Sequence, residues 1–199
     1  MLDWTFKKKH LVYFEFFFVM YFFWDIFIQI WFLHDCNNVV RLQDLNRLLL
    51  SDCNLSDDAL PSDLGSLPSL TTLELDRNSF QSLPAGLSSL LRLTSLRLDD
   101  NTRLQTIPDL PRNLDVLHAL NCTSLERLPD VSVASRIRLL YIANCPKLIE
   151  APGLDKSTSI TDIDMKGCYD ISNTLKNSLH KVFFLCLSLL VKHIILCCC

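Results

Sequence analysis

The sequence predicts an α/β fold: a leucine-rich-repeat solenoid, a horseshoe with a parallel sheet on its concave face and an irregular, short-helical convex side. Three observations carry this. An apolar spelling returns six times at a nearly fixed period, an Asn or Cys stands at the same place in every copy, and an apolar-Pro pair follows five of them. Periods of 20–29 residues with the spelling L-x-x-L-x-L-x-x-N/C-x-L mark this architecture.

The spelling runs Leu45, Leu48, Leu50, Cys53, Leu55, then Leu70, Leu73, Leu75, Asn78, Phe80. It continues as Leu93, Leu96, Leu98, Asn101 and, one place late, Leu104. Leu114, Leu117, Ala119, Cys122, Leu125 follow, then Ile137, Leu140, Ile142, Cys145, Leu148, and last Ile160, Ile163, Met165, Cys168, Ile171. The starts at 45, 70, 93, 114, 137 and 160 lie 25, 23, 21, 23 and 23 residues apart. Each copy predicts a short strand whose side chains alternate, Leu73 and Leu75 inward and Thr72, Glu74 and Asp76 outward. One strand cannot bury such a row alone, so coils must stack into a continuous core.

Past the strand the chain turns inward, where backbone groups leave water and need partners. An Asn side chain both donates and accepts there, and Cys is small and tolerates burial. Cys53, Asn78, Asn101, Cys122, Cys145 and Cys168 therefore predict one internal structural ladder. On the return side stand Leu60-Pro61, Leu83-Pro84, Ile107-Pro108, Leu128-Pro129 and Ala151-Pro152. Proline fixes an extended backbone and donates no hydrogen bond, which suits an irregular back better than long helices.

Three segments follow: residues 1–38 as an apolar N-terminal segment, 39–181 as the repeat domain of about six repeats, and 182–199 as an apolar, Cys-rich tail. Leu11 to Leu33 is an aromatic-rich run, interrupted by Glu15, Asp25 and Gln29 and preceded by Lys7, Lys8 and Lys9. Its length suits a membrane helix of roughly 20 residues, although acids near the bilayer centre cost about 2.5–3.5 kcal/mol each. Two readings stay open for it, an N-terminal membrane helix or translated intron. Val182 to Val191 is too short to span, and the three terminal cysteines resemble palmitoylation sites only weakly.

The chain has 199 residues and a formal charge of −3. No basic stripe is visible along the sequence, so nucleic-acid binding is not implied. Four of the nine cysteines fall on the ladder, four in the tail, and Cys36 is left over. No Cys/His zinc spacing occurs, so no metal or cofactor is expected. Reduced thiols and a cytoplasmic setting are the expectation. Asn54-Leu55-Ser56 and Asn121-Cys122-Thr123 match the glycosylation sequon, which matters only in the secretory route.

Function should lie on the outward strand positions. The central column reads Leu49, Glu74, Arg97, His118, Tyr141, Asp164, flanked by Arg47, Thr72, Ser95, Val116, Leu139, Asp162 on one side. Ser51, Asp76, Asp99, Leu120, Ala143 and Lys166 flank it on the other. Val116, His118, Leu120, Leu139 and Tyr141 form an apolar patch, with Glu74, Asp76, Arg97, Asp99 and Asp100 on one side and Asp162, Asp164 and Lys166 on the other. An apolar patch inside a charged rim predicts a protein-binding concave face, made of Glu74, Arg97, Val116, His118, Leu120, Leu139, Tyr141 and Asp164. The partner is another protein or a neighbouring domain of a longer receptor. His118 has no nucleophile and orienting group beside it, so no enzyme is expected. The acid pairs Asp57-Asp58 and Asp99-Asp100 are expected to be solvated turns.

Residues 42 to 180 resemble the repeat region of plant intracellular immune receptors. The type with an N-terminal Toll/interleukin-receptor-like domain, as in tobacco mosaic virus resistance proteins, is the nearest in look. The residues that carry this are Leu114-Asp-Val-Leu117-His-Ala-Leu-Asn-Cys122-Thr-Ser-Leu125-Glu-Arg-Leu128-Pro129, then Ile142-Ala-Asn-Cys145-Pro-Lys-Leu148 and Met165-Lys-Gly-Cys168. The resemblance implies a sensing and autoinhibitory module in disease resistance. The family's phosphate loop is missing, since no Lys directly follows Gly65, Gly86, Gly153 or Gly167, and a Toll-like domain does not fit upstream of the repeats. The expectation is thus a fragment or truncated relative. The alternatives are a membrane-anchored repeat protein and a repeat adaptor that recruits substrate for a catalytic partner.

Overall fold

The computed structural model describes residues 2–5, 45–60, 62, 64, 67–169 and 172. The expected membrane helix at 11–33 and the tail at 182–199 lie outside them. No helix among the described residues is long and apolar enough to cross a membrane.

Among the described residues seven strands form one parallel sheet in sequence order. They are β1 (Leu2–Thr5), β2 (Leu45–Leu49), β3 (Thr72–Glu74), β4 (Ser95–Arg97), β5 (Val116–His118), β6 (Leu139–Tyr141) and β7 (Asp162–Asp164). Register runs straight across, pairing Leu48, Leu73, Leu96, Leu117, Leu140 and Ile163. Each is the middle leucine or isoleucine of its copy, so the period in the sequence becomes registry in the sheet. β1 was not foreseen: it pairs in parallel with β2 and adds a strand that the repeat spelling does not announce.

The apolar rows meet inside. Leu70, Leu73, Leu75, Leu93, Leu96, Leu98, Leu114, Leu117, Ala119, Ile137, Leu140 and Ile142 are all buried. The residue before each return-side proline is buried as well, from Leu60 through Leu83, Ile107 and Leu128 to Ala151. Among the described residues the convex side carries 3-10 turns at Asp57–Ala59, Ala85–Ser89 and Val131–Val133 and isolated parallel bridges joining Thr106, Arg127 and Glu150. The back of the second coil fits closely against the first, and a Cβ at Gly86 would overlap the Ser62 carbonyl oxygen.

The ladder shows what Asn and Cys each contribute. Asn78 is buried, and its Oδ1 accepts from the amides of Cys53 (3.2 Å) and Leu55 (2.9 Å) in the coil before. Its Nδ2 donates to the carbonyls of Leu50 (2.9 Å) and Leu75 (2.8 Å). Asn101 repeats this, accepting from the Asn78 amide and donating to Leu75 and Leu98. The thiols of Cys122, Cys145 and Cys168 donate to Leu98 (3.2 Å), Ala119 (3.2 Å) and Ile142 (3.0 Å), the equivalent carbonyl of the preceding coil each time. A thiol accepts poorly. The Cys145 and Cys168 thiols accordingly offer the amides of Cys122 and Cys145 only weak acceptors, where an Asn supplies a carbonyl oxygen. Cys53, in the first full coil, is half-buried and its thiol donates to its own coil, at Ser51.

Just before the ladder residue every coil turns left-handed. The residues there are Asp52, Arg77, Asp100, Asn121, Asn144 and Gly167, with φ between 54° and 74°. Asp, Asn and Gly suit that region; Arg77 does not. In the later coils a further turn follows, in which Leu104, Leu125 and Leu148 donate back to Asn101, Cys122 and Cys145. That turn absorbs the extra residue that sets Leu104, Leu125 and Leu148 three places past the ladder residue, where Leu55 and Phe80 stand two.

Candidate functional site: the concave face

The three outward columns stand as the spacing orders them. Arg47, Thr72, Ser95, Val116, Leu139 and Asp162 are register partners, and so are Leu49, Glu74, Arg97, His118, Tyr141 and Asp164. Glu74, Arg97, Val116, His118, Leu120, Leu139, Tyr141 and Asp164 are all partly exposed. The face divides into two chemically distinct halves.

The first half is a hydrogen-bonded frame, and here the sequence expectation needs correction. Asp76 and Asp99 are not a solvated rim, for both are buried. Asp76 accepts from the Asp99 amide (2.9 Å), and Asp99 from the Leu120 amide (2.8 Å), so each carboxylate caps the backbone of the next coil. Their remaining oxygens hold Arg97, whose Nε lies 3.2 Å from Asp76 and whose Nη2 lies 3.0 Å from Asp99. Burial nevertheless raises the Asp76 carboxyl above its ordinary value, with Arg97 opposing the rise. Asp57 stands on an exposed turn as expected, and its carboxylate also accepts from the amides of Gln81 and Ser82.

The second half is apolar and aromatic. The His118 and Tyr141 rings lie 4.8 Å apart at a 45° tilt. The Tyr141 hydroxyl donates to Asp162 at 2.7 Å. That bond, with burial, pushes the phenol up to about 12. Val116 and Leu139 stand beside this pair in the neighbouring column. His118 Nδ1 is buried without a hydrogen bond, 4.0 Å from the Asp99 carboxylate. Burial lowers the His118 pKa, and the nearby Asp99 only partly offsets this. In the flanking column Ala143 is buried and Leu120 partly exposed, so Leu120 alone of the two adds to the patch.

Beside the sheet runs a polar side ladder that sequence reasoning did not name. Asn121 donates to Asp100 (2.7 Å) and Asn144 donates to Asn121 (2.9 Å). The Asn121 sequon nitrogen is thus occupied as a structural donor. The Cys145 and Cys168 thiols behind the sheet are held protonated. Hydrogen bonding to Cys122, together with burial, raises Cys145 to about 12, and Cys168 is raised further by Cys145 and burial. Thiols in that state are poor nucleophiles. Among the described residues no cluster of His, Cys, Asp or Glu is arranged to hold a metal ion.

No protein-family model matches the chain. It is 48% identical over 77 residues, 39% of its length, to the TMV resistance protein N of Nicotiana glutinosa, of which it covers 7%. Over 145 residues, 71% of the chain, it is 37% identical to an Arabidopsis thaliana protein named for disease resistance, of which it covers 12%. Over 109 residues, 52% of the chain, it is 33% identical to the disease resistance-like protein DSC1 of Arabidopsis thaliana, of which it covers 9%. The chain therefore spans about a tenth of the length of the curated relatives it matches. Among solved structures it is similar to the leucine-rich repeat domain of the type III effector XopL, at TM-score 0.39 and 22% identity, covering 68% of this chain and 66% of that one. A leucine-rich-repeat protein of Leptospira interrogans follows at TM-score 0.30 and 16% identity, with 64% and 50% covered. The chain is a leucine-rich-repeat solenoid whose sequence relatives are plant disease-resistance proteins.

Proposed function

We propose that the chain is a protein-recognition module of plant defence, acting as the repeat part of a longer cytoplasmic receptor. The observation that carries this is the half-buried patch of Val116, His118, Leu139 and Tyr141 beside the Arg97 frame. Tyr and Arg are favoured where interfaces concentrate their binding energy, and an apolar centre ringed by polar groups is the usual anatomy of such a surface. Recognition is steric and electrostatic: a partner's apolar group covers the Tyr141 and His118 rings, while Glu74 and Asp164 choose its charged neighbours. No chemistry by the chain is required.

The test is co-precipitation from leaf extract with the wild-type chain, Tyr141→Ala, and Val133→Glu on the convex side. Proteins lost with Tyr141→Ala and kept with Val133→Glu support the concave face. Equal recovery by all three proteins removes it. A membrane-anchored alternative rests on residues 11–33 and is separated by carbonate extraction, which an integral anchor resists.

A further inference from the structure

The turns that lead into the strands carry a second surface, independent of the concave face. In four coils a hydrogen bond closes a turn just before the strand: Leu70 donates to Leu67, Leu93 to Leu90, Leu114 to Pro111 and Ile137 to Ala134. The outer residues of each turn are bonded into the core, so the two central residues must face out. Those pairs are Pro68-Ser69, Leu91-Arg92, Arg112-Asn113 and Ser135-Arg136. Three successive coils therefore present one arginine each, and none of the four turns holds an acid.

Arg92, Arg112 and Arg136 are exposed. No ion pair or hydrogen bond joins their guanidinium groups to another described residue. The contrast is Arg138, two residues beyond Arg136, which forms a two-pronged pair with Asp115. Leu91 stands beside Arg92 and is 64% exposed. Coils follow one another at about the 4.8 Å spacing of parallel strands, so residues 20 and 24 apart in sequence become neighbours. The chain as a whole is acidic, at −3, yet this rim carries cations and an apolar side chain with nothing of its own to neutralise them.

We propose that this rim docks an acidic protein segment, its carboxylates forked by Arg92, Arg112 and Arg136 and an apolar side chain laid against Leu91. Guanidinium groups hold carboxylates through two parallel bonds. A nucleic acid fits less well: the cationic run is only three coils wide, and the negative net charge opposes a long polyanion.

The test uses the full chain and a fluorescein-labelled peptide of glutamate pairs separated by leucines, read by anisotropy at low salt. Two triple variants are compared: R92Q/R112Q/R136Q on the rim, and R77Q/R103Q/K147Q at exposed positions elsewhere, which makes the same change of charge. The expected result is at least a tenfold loss of affinity for the rim variant and less than a twofold loss for the control. Equal losses in both, or no loss in the rim variant, overturn the proposal, as does a wild-type chain that fails to bind the peptide at millimolar concentration. Tighter, rim-dependent binding of an oligothymidylate than of the peptide also overturns it. Circular-dichroism melts of both variants at the wild-type temperature exclude unfolding as the cause.

Discussion

Replacing Asn101 tests the ladder most sharply. In Asn101→Ala the Asn78 amide loses its acceptor at 3.1 Å, and the Leu75 and Leu98 carbonyls each lose a donor, at 3.0 and 2.7 Å. The carbonyls keep a second donor, Asn78 Nδ2 for Leu75 and the Cys122 thiol for Leu98. Only the amide is orphaned. One unsatisfied buried donor costs about 1–3 kcal/mol, and two lost bonds to carbonyls that remain satisfied add about 0.5–1 kcal/mol each. The expected destabilisation is about 2–5 kcal/mol. Asn101→Cys lets a thiol donate to Leu75, as Cys122 does to Leu98, but leaves the Asn78 amide only a weak sulfur acceptor; about 1–3 kcal/mol is expected. Cys122→Ala removes one thiol bond from a carbonyl that Asn101 still serves, and about 1 kcal/mol is expected. Urea unfolding followed by far-ultraviolet dichroism measures all three. Equal costs for Asn101→Ala and Cys122→Ala would show that the acceptor half of the asparagine contributes nothing, and the ladder account would fail.

Four further outcomes follow from the geometry. Leu117→Ala empties a fully buried position at the centre of the sheet and should cost about 2–5 kcal/mol; an unmoved melt would contradict the register. Arg77 holds φ at 54°, so Arg77→Gly should stabilise the fold by about 0.5–1 kcal/mol, and a lower denaturation midpoint would refute the strain. Tyr141 should ionise near 12 because its hydroxyl donates to Asp162, and ultraviolet titration of Asp162→Asn should return it towards 10; an unchanged titration would leave the bond without effect. Burial holds His118 below its ordinary value, so near and below pH 6.5 the unfolded chain binds the proton more readily than the folded one. That stability is present above this pH and is lost as pH falls through the folded value. His118→Phe should therefore flatten the acid side of the melting profile, and identical profiles would show His118 to be uncoupled from folding.

The solenoid was legible because each leucine answers two constraints at once, strand alternation and coil period. The period alone pairs Leu73 with Leu96. The left-handed turn was legible in principle: the column Asp52, Arg77, Asp100, Asn121, Asn144, Gly167 is rich in residues that tolerate positive φ. The carboxylates depart from the sequence expectation because an outward strand position is not always a solvated one. Asp76 and Asp99 stand at one column position in adjacent coils, where bare charges would repel. Their repetition was itself the signal that backbone amides and a cation must hold them, and Arg97 stands between. The arginine rim was hidden for the opposite reason. The sequence shows no basic stripe, because Arg92, Arg112 and Arg136 meet only when the chain coils. β1 carries no copy of the repeat spelling, so periodicity had nothing to announce.

The division of the concave face governs how its variants must be read. Arg97 bridges Asp76 of the second coil and Asp99 of its own, and Asp99 caps Leu120 in the fourth. One guanidinium thus ties three coils together, in an architecture whose stability resides in contacts between neighbours. Truncating Arg97 strands two buried carboxylates, and uncompensated buried charge is strongly destabilising. A loss of partner binding in Arg97→Ala would therefore report loosened coils as readily as a lost contact. Tyr141 and Val116 differ: their side chains close no backbone bond between coils, and Asp162 can turn to water when the Tyr141 hydroxyl is gone. Binding lost through Tyr141→Ala or Val116→Ala with an unchanged melt isolates recognition from folding. The apolar half of the face, rather than its most highly charged residue, is where partner contact and solenoid stability can be separated.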